Sequence, residues 1–296
     1  MKTTLQSLLA RGEPVLADGA MGTLLAAQGL PAGSPPPLWN AEQPDKVRAV
    51  HRAYIEAGAQ IILSNSFVAS RPLLARAGLG ERTPELNLAA AQLARAEADA
   101  ADTPVLVGGS IGPTGEMLAP LGTFAFEDAV AAFAEQAGAL AAGGVDVFWI
   151  ETMADLEEVR AAVEGCQQAA PHVPFVATMT FDAGGRTMMG VAPERALEAI
   201  SAMGALAAGG NCGNGPDEIE DVIARMHAAS PQAVLIAKAN AGRPRLVDGV
   251  TVFDATPQVM AGYAVKMHAR GARIIGGCCG NTPDHIRAMH EALRAR

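Results

Sequence analysis

Two adjacent cysteines, Cys278 and Cys279, stand in the run Gly276-Gly277-Cys278-Cys279-Gly280, and a third stands in Gly210-Asn211-Cys212-Gly213. Three thiolates and an open fourth position make a catalytic zinc site, and such soft ligands disfavour magnesium and calcium. Successive residues of a regular strand point to opposite faces, so the vicinal sulfurs can face one point only where the chain leaves strand geometry. The flanking glycines supply that freedom. A single free cysteine is usually just buried packing, and Cys166, in Glu164-Gly165-Cys166-Gln167, reads that way. The glycine-flanked trio points instead to bound Zn2+. Two other readings stay open: a thiol redox switch at Cys278 and Cys279, and a non-catalytic zinc site closed by a fourth protein ligand.

Two carboxylates carry a second chemistry. Asp18 precedes Gly19-Ala20-Met21-Gly22, a turn whose backbone N–H groups can hold a carboxylate while Asp18 holds an ammonium group. Glu151 follows the apolar run Val147-Phe148-Trp149-Ile150, where a charge is costly without a partner. An α-amino acid offers both halves of that match. The competing role for either acid is to cap a following helix.

The elements that must position these residues recur along the chain as short Val- and Ile-rich runs, each followed by an amphipathic segment. That is the sequence form of βα units. Eight runs are expected as strands: Val15–Ala20, Ile61–Ser66, Val105–Ser110, Val147–Thr152, Phe175–Phe181, Leu206–Cys212, Ala233–Asn240 and Arg273–Cys279. Helices are expected at Asp45–Ala57, Thr83–Ala100, Phe126–Ala142, Leu156–Ala169, Pro193–Met203, Pro216–Ala229, Thr256–Arg270 and Pro283–Arg296. Pro193, Pro216 and Pro283 lie near helix starts, where a missing N–H costs nothing. The strands are almost wholly apolar, as in a parallel sheet buried on both faces. Eight such units fit a single (β/α)8 TIM barrel over residues 1–296, with the active site at the C-terminal strand ends. Three of the four cysteines fall at those ends, with Asn65, Ser110 and Asn240. The Gly- and Pro-rich stretch 29–37 reads as an irregular loop after the first strand, and the six histidines as surface or packing residues.

Composition excludes several classes. With 22 Lys+Arg against 31 Asp+Glu the formal charge is −9, which argues against nucleic acid or an anionic membrane as partner. No apolar run reaches a membrane-spanning length, and the N-terminus lacks the apolar region of a signal peptide. Four cysteines without framework spacing suggest a reduced, cytoplasmic setting. Neither G-x-G-x-x-G after the first strand nor a P-loop is present, so nucleotide readings lack their phosphate cradles.

Taken together, Asp18-Gly19-Ala20-Met21-Gly22-Thr23, Ser64-Asn65-Ser66-Phe67, Gly112-Pro113-Thr114-Gly115-Glu116, Gly210-Asn211-Cys212 and Gly276-Gly277-Cys278-Cys279-Gly280 resemble the homocysteine S-methyltransferase family, from about residue 13 to residue 294. The resemblance implies a barrel that holds zinc by Cys212, Cys278 and Cys279. It implies homocysteine as the fourth, sulfur ligand and methyl transfer to that sulfur. Asn240 would lie near the zinc, filling the open position or orienting the amino acid. Leu38-Trp39-Asn40, Trp149-Ile150-Glu151-Thr152-Met153 and Arg186-Thr187-Met188-Met189-Gly190 look most like the bacterial betaine-type enzymes, with betaine as donor. A quaternary ammonium favours an aromatic wall, for which Trp39 is the candidate. The animal enzymes carry tyrosines where this chain has Val68 and Thr152, so the donor pocket departs from that pattern. S-methylmethionine is the alternative donor, and methyl-cobalamin or methyl-tetrahydrofolate would need a separate partner protein. A homo-oligomer is a family-level expectation only.

Overall fold

The computed structural model describes residues 3–182, 184–247 and 250–295. Its centre is a ring of eight parallel strands: β1 (Val15–Leu16), β2 (Ile61–Leu63), β3 (Leu106–Ile111), β4 (Val147–Met153), β5 (Phe175–Met179), β6 (Ala208–Cys212), β7 (Leu235–Ala239) and β8 (Ala272–Gly277). Each strand pairs with its sequence neighbours, and β8 pairs with β1 through Val15↔Ile274 and Leu16↔Ile275. A parallel bridge between Ala17 and Ile61 closes the ring. The fold is therefore the expected (β/α)8 barrel. All eight expected strands are present, several of them shorter than the apolar runs that announced them.

Local chemistry explains the strand composition. β6 reads Ala-Gly-Gly-Asn-Cys because a side chain at position 209 would strike the Ile236 carbonyl oxygen of β7. β1 is only two residues long, yet just beyond it Asp18 still bonds both neighbours through its backbone, its amide donating to the Ile61 carbonyl and its carbonyl accepting the Gly277 amide, each at 3.0 Å, while its carboxylate turns inward, where Oδ2 accepts the Leu63 amide at 2.7 Å. The helices expected after each strand lie at Pro44–Glu56, Thr83–Asp99, Phe126–Ala142, Leu156–Ala169, Pro193–Ala202, Pro216–Ala229, Pro257–Ala269 and Pro283–Arg294. Arg296, where the last helix was expected to end, lies outside the described residues. Prolines occupy helix first turns at 193, 216, 257 and 283.

Two cores result. One lies between barrel and helices. The other fills the barrel, with Ile61, Leu106, Val147, Trp149, Val176, Ile236 and Ile274. Leu5 and Leu8 join this inner core from a short helix, Leu5–Leu9, capped by Thr4 and Ser7. The sequence reading did not anticipate that helix. Nor did it anticipate Met21–Ala27, the short helical turns Pro36–Leu38 and Trp39–Glu42, or the antiparallel pair Arg245–Val247 and Val250–Val252 in the loop after β7. The expected loop at 29–37 is thus cut short by a helical turn that begins at Pro36. No helix among the described residues is long and apolar enough to cross a membrane.

Candidate active site and metal centre

The three cysteines meet at the C-terminal mouth of the barrel. Cys212 is the last residue of β6, and its backbone takes φ +65°, a left-handed conformation uncommon outside glycine. Cys278 and Cys279 follow the end of β8, where the chain has left strand geometry as the vicinal pair requires. Gly277 allows this bend, because a side chain there would strike that of Asn281. The sulfurs of Cys212 and Cys278 are 3.4 Å apart, and all three lie within 4.8 Å of one another. Zinc–sulfur bonds of about 2.3 Å in a tetrahedron place sulfurs about 3.8 Å apart, so the trio fits a zinc ion. Crowding makes their ionisation unequal. Hydrogen bonds from Cys212 and then Cys278 pull Cys279 below the ordinary thiol range, and the bond to Cys278 pushes Cys212 above it. Cys166 stands apart, buried in the helix Leu156–Ala169, with its thiol pushed up by desolvation.

A supporting shell fixes the thiols. Asn211 is fully buried. Its Oδ1 accepts the Thr152 amide at 2.8 Å and the Thr178 hydroxyl at 2.7 Å. Its Nδ2 donates to Thr152 Oγ1 at 2.7 Å and lies 3.7 Å from Cys278 Sγ. Asn240 ties the two cysteine loops together, donating to the Gly213 carbonyl at 2.8 Å and accepting the Cys279 amide at 3.0 Å. Its amide is engaged in these two backbone bonds, and Asn240 is not among the residues that line the cavity above the sulfurs.

Above the sulfurs opens a cavity of about 260 Å³, lined by Asp18, Gly19, Ala20, Met21, Asn65, Phe67, Ser110, Glu151, Lys238 and the three cysteines, among others. Glu151 accepts the Ser110 hydroxyl on Oε1 at 2.6 Å. Burial pushes its carboxyl up to about 7, against the pull of Lys238. The Ala20 amide is donated to the Asn281 carbonyl, so that part of the turn after Asp18 is already engaged. Asn65 touches the cavity but spends its amide on loop structure, donating to Pro36 O at 2.8 Å and Asn40 Oδ1 at 2.9 Å.

Two features differ from the sequence reading. Trp39 does not reach the cavity. It is 5% exposed, belongs to the outer core, and carries Lys46 over its ring at 4.3 Å. The turns at Pro36–Leu38 and Trp39–Glu42 fold it against the barrel side. The aromatic surface on the cavity belongs to Phe67, 37% exposed at the mouth. The second feature is Lys238, which the sequence reading passed over inside an apolar run. Its Nζ lies 3.0 Å from Asp18 Oδ1 and 5.4 Å from the centre of the Trp149 ring. Burial draws its pKa down, but Asp18, Glu151 and Cys278 together hold it above the ordinary lysine value. The signal was available, since a cation in a buried strand demands a partner as much as Glu151 does. The Gly112-Pro113-Thr114 motif proves to be a latch: Thr114 gives its amide and hydroxyl to Glu158 Oε1 at 2.8 and 2.7 Å.

Known proteins share this fold. The metallated form of the homocysteine methyltransferase MmuM from Escherichia coli superposes with a TM-score of 0.82 at 27% identity, covering 97% of this chain and 99% of that one. A methyltransferase from Methanosarcina mazei shares the fold, with a TM-score of 0.60 at 14% identity over 99% of each chain. The methionine synthases of Mycobacterium leprae and Mycobacterium tuberculosis are each 32% identical over 300 residues, which is 94% of this chain. The chain spans about a quarter of the length of those relatives, 24% in each case. The family model for homocysteine S-methyltransferases matches residues 15–293, and with the thiol triad and its cavity already in place, the chain belongs to the homocysteine S-methyltransferase family.

Proposed function

We propose that this S-methyltransferase moves a methyl group from a small cationic donor to the sulfur of homocysteine, giving methionine, with Zn2+ held by Cys212, Cys278 and Cys279. The observation that carries the reading is the convergence of three sulfurs at the floor of a cavity whose wall bears a buried carboxylate. A zinc ion bound there supplies the charge that keeps an acceptor thiol deprotonated near neutral pH. The rest falls to the protein. Glu151 receives the ammonium group of the amino acid, and the Ser110 hydroxyl holds that carboxylate in place. Asn211 and Asn240 hold the cysteine loops, and the apolar wall excludes water from the thiol. A structural zinc site would be closed by a fourth protein ligand, and a soft three-sulfur set opening on a cavity favours catalysis.

Betaine is the donor placed first, on the stretches around Trp39, Glu151 and Met188, with Phe67 as the aromatic face for its cationic methyl group. S-methylmethionine presents the same kind of charged methyl group as a sulfonium. Methyl-cobalamin or methyl-tetrahydrofolate delivered by a separate protein is a further reading, favoured by the likeness to the mycobacterial methionine synthases. The test is methionine formation from homocysteine by the zinc-loaded protein, with each donor in a separate tube. Turnover with betaine alone supports the reading, and turnover with S-methylmethionine alone moves the donor to the sulfonium class. Failure with both, at one zinc per chain, rejects a small cationic donor.

A further inference from the structure

β4 carries an extra residue. Between Ile150 and Met153 it advances three positions while β5 advances two, from Ala177 to Met179. A bulge of this kind re-aims side chains. Trp149 lies in the inner core, and Ile150 and Met153 both lie in the outer one. The two residues between them, Glu151 and Thr152, both reach the cavity, where a regular strand would turn only one of them inward. The strain falls on Thr152, a β-branched residue held at φ +62°. Among the described residues the one other non-glycine with positive φ is Cys212. Such conformations persist where the surrounding structure over-determines them, and they cluster at functional sites.

Asn211, the residue before Cys212, supplies the lock. The Thr152 amide can only donate, so the atom that faces it at 2.8 Å is the carbonyl oxygen Oδ1, which also accepts the Thr178 hydroxyl at 2.7 Å. Nδ2 is thereby turned to Thr152 Oγ1, at 2.7 Å, and toward Cys278 Sγ, at 3.7 Å. Thr152 thus holds Asn211 twice, by its backbone and by its hydroxyl. We infer that Thr152 is a positioning residue of the metal centre: its bulged backbone and its hydroxyl fix the Asn211 amide, and with it the N–H that faces the Cys278 sulfur. This inference rests on the zinc reading above. Valine at this position would keep the shape and the strain but leave a buried N–H without its acceptor. Serine would keep the acceptor.

The test is zinc affinity of the full chain, read by competition with a chromogenic chelator across a double-mutant cycle. Thr152→Val is expected to weaken zinc binding by about 10- to 100-fold, the range for groups that orient metal ligands. Thr152→Ser is expected to stay within about threefold of the parent, since it restores the acceptor. Thr152→Gly suits the left-handed backbone and lacks the hydroxyl. It is expected to lose zinc as the valine variant does, and it decides the matter if Thr152→Val does not fold. Adding Thr152→Val to Asn211→Ala is expected to cost no more than about threefold beyond Asn211→Ala alone, because Thr152 acts through Asn211. Parental zinc affinity in either hydroxyl-free variant, a loss of about tenfold or more in Thr152→Ser, or the full cost of Thr152→Val in the Asn211→Ala background overturns this inference alone. No zinc bound by the parent protein overturns the metal reading beneath it, and this inference with it.

Discussion

The side-chain nitrogen of Asn211 lies 3.7 Å from the sulfur of Cys278, while the same amide binds Thr152 and Thr178 on two other strands. One buried side chain thus connects β4, β5 and β6 to a thiol that follows β8. Groups that orient metal ligands are worth about 10- to 100-fold in metal affinity. Asn211→Ala is expected to weaken zinc binding by about that factor, read by competition with a chromogenic chelator. Zinc affinity equal to the parent would remove Asn211 from the metal centre.

Loss of any one sulfur should remove metal and activity together. Cys212→Ser, Cys278→Ser and Cys279→Ser are each expected to lower zinc to well under one per chain and to abolish methionine formation. Cys166→Ser is expected to retain both, since that thiol is buried in a helix away from the others. Zinc content and turnover on the same samples decide it, and a parent protein that holds no zinc and loses turnover on oxidation alone would argue for a redox role instead.

Much of this was legible in the sequence because the barrel separates two jobs along each strand. Apolar residues fill the ring, so a Gly-Asn-Cys or Gly-Gly-Cys-Cys ending stands out against them. Glu151 stood out for the same reason. Lys238 did not, because it sits inside a run read only for its hydrophobicity, and its partner Asp18 is 220 residues away. Trp39 was misplaced because loop composition does not encode direction: short helical turns after Pro36 carry it to the outside of the barrel. The helix Leu5–Leu9 has too few residues for periodicity to register, yet Leu5 and Leu8 complete the inner core.

Phe67 and Trp39 separate experimentally. Phe67→Ala is expected to raise the KM for a cationic donor by about three- to tenfold, the equivalent of about 1 kcal/mol of cation–π contact. Trp39→Phe is expected to leave that KM within twofold. Trp39→Ala is expected to destabilise the fold by about 3–5 kcal/mol, as loss of a large core side chain does. Steady-state kinetics and thermal unfolding on the three variants give the answer. A donor KM that rises with Trp39→Phe and not with Phe67→Ala would restore Trp39 to the donor site.

His51 gives a pH dependence remote from the metal centre. It is fully buried, both ring nitrogens lack a hydrogen-bond partner among the described residues, and burial pushes its pKa from 6.5 down to about 4. The folded state therefore binds fewer protons than the unfolded state between these values. The stability due to neutral His51 is complete above pH 6.5 and is lost as pH falls toward 4, by on the order of 3 kcal/mol. His51→Leu is expected to flatten that loss and to raise the melting temperature at pH 5 more than at pH 8. Parallel pH profiles of parent and variant would sink the argument.

Two of the three sulfurs follow the last strand of the ring, and that strand pairs with the first, Val15 against Ile274. Tyr54 adds a second tie across the seam, giving its hydroxyl to the Asn281 carbonyl at 2.7 Å. During synthesis from the N-terminus, Cys212 emerges without a thiol partner, and the metal-binding set exists only after the ring has shut. Capture of a metal by this set would therefore follow closure and report on it. By mass action it also favours the closed ring, since a ligand bound only by the folded form stabilises that form. Zinc at this mouth would act as a clasp on the longest-range pairing in the molecule, so defects at the seam far from any sulfur should surface first as metal that no longer stays bound.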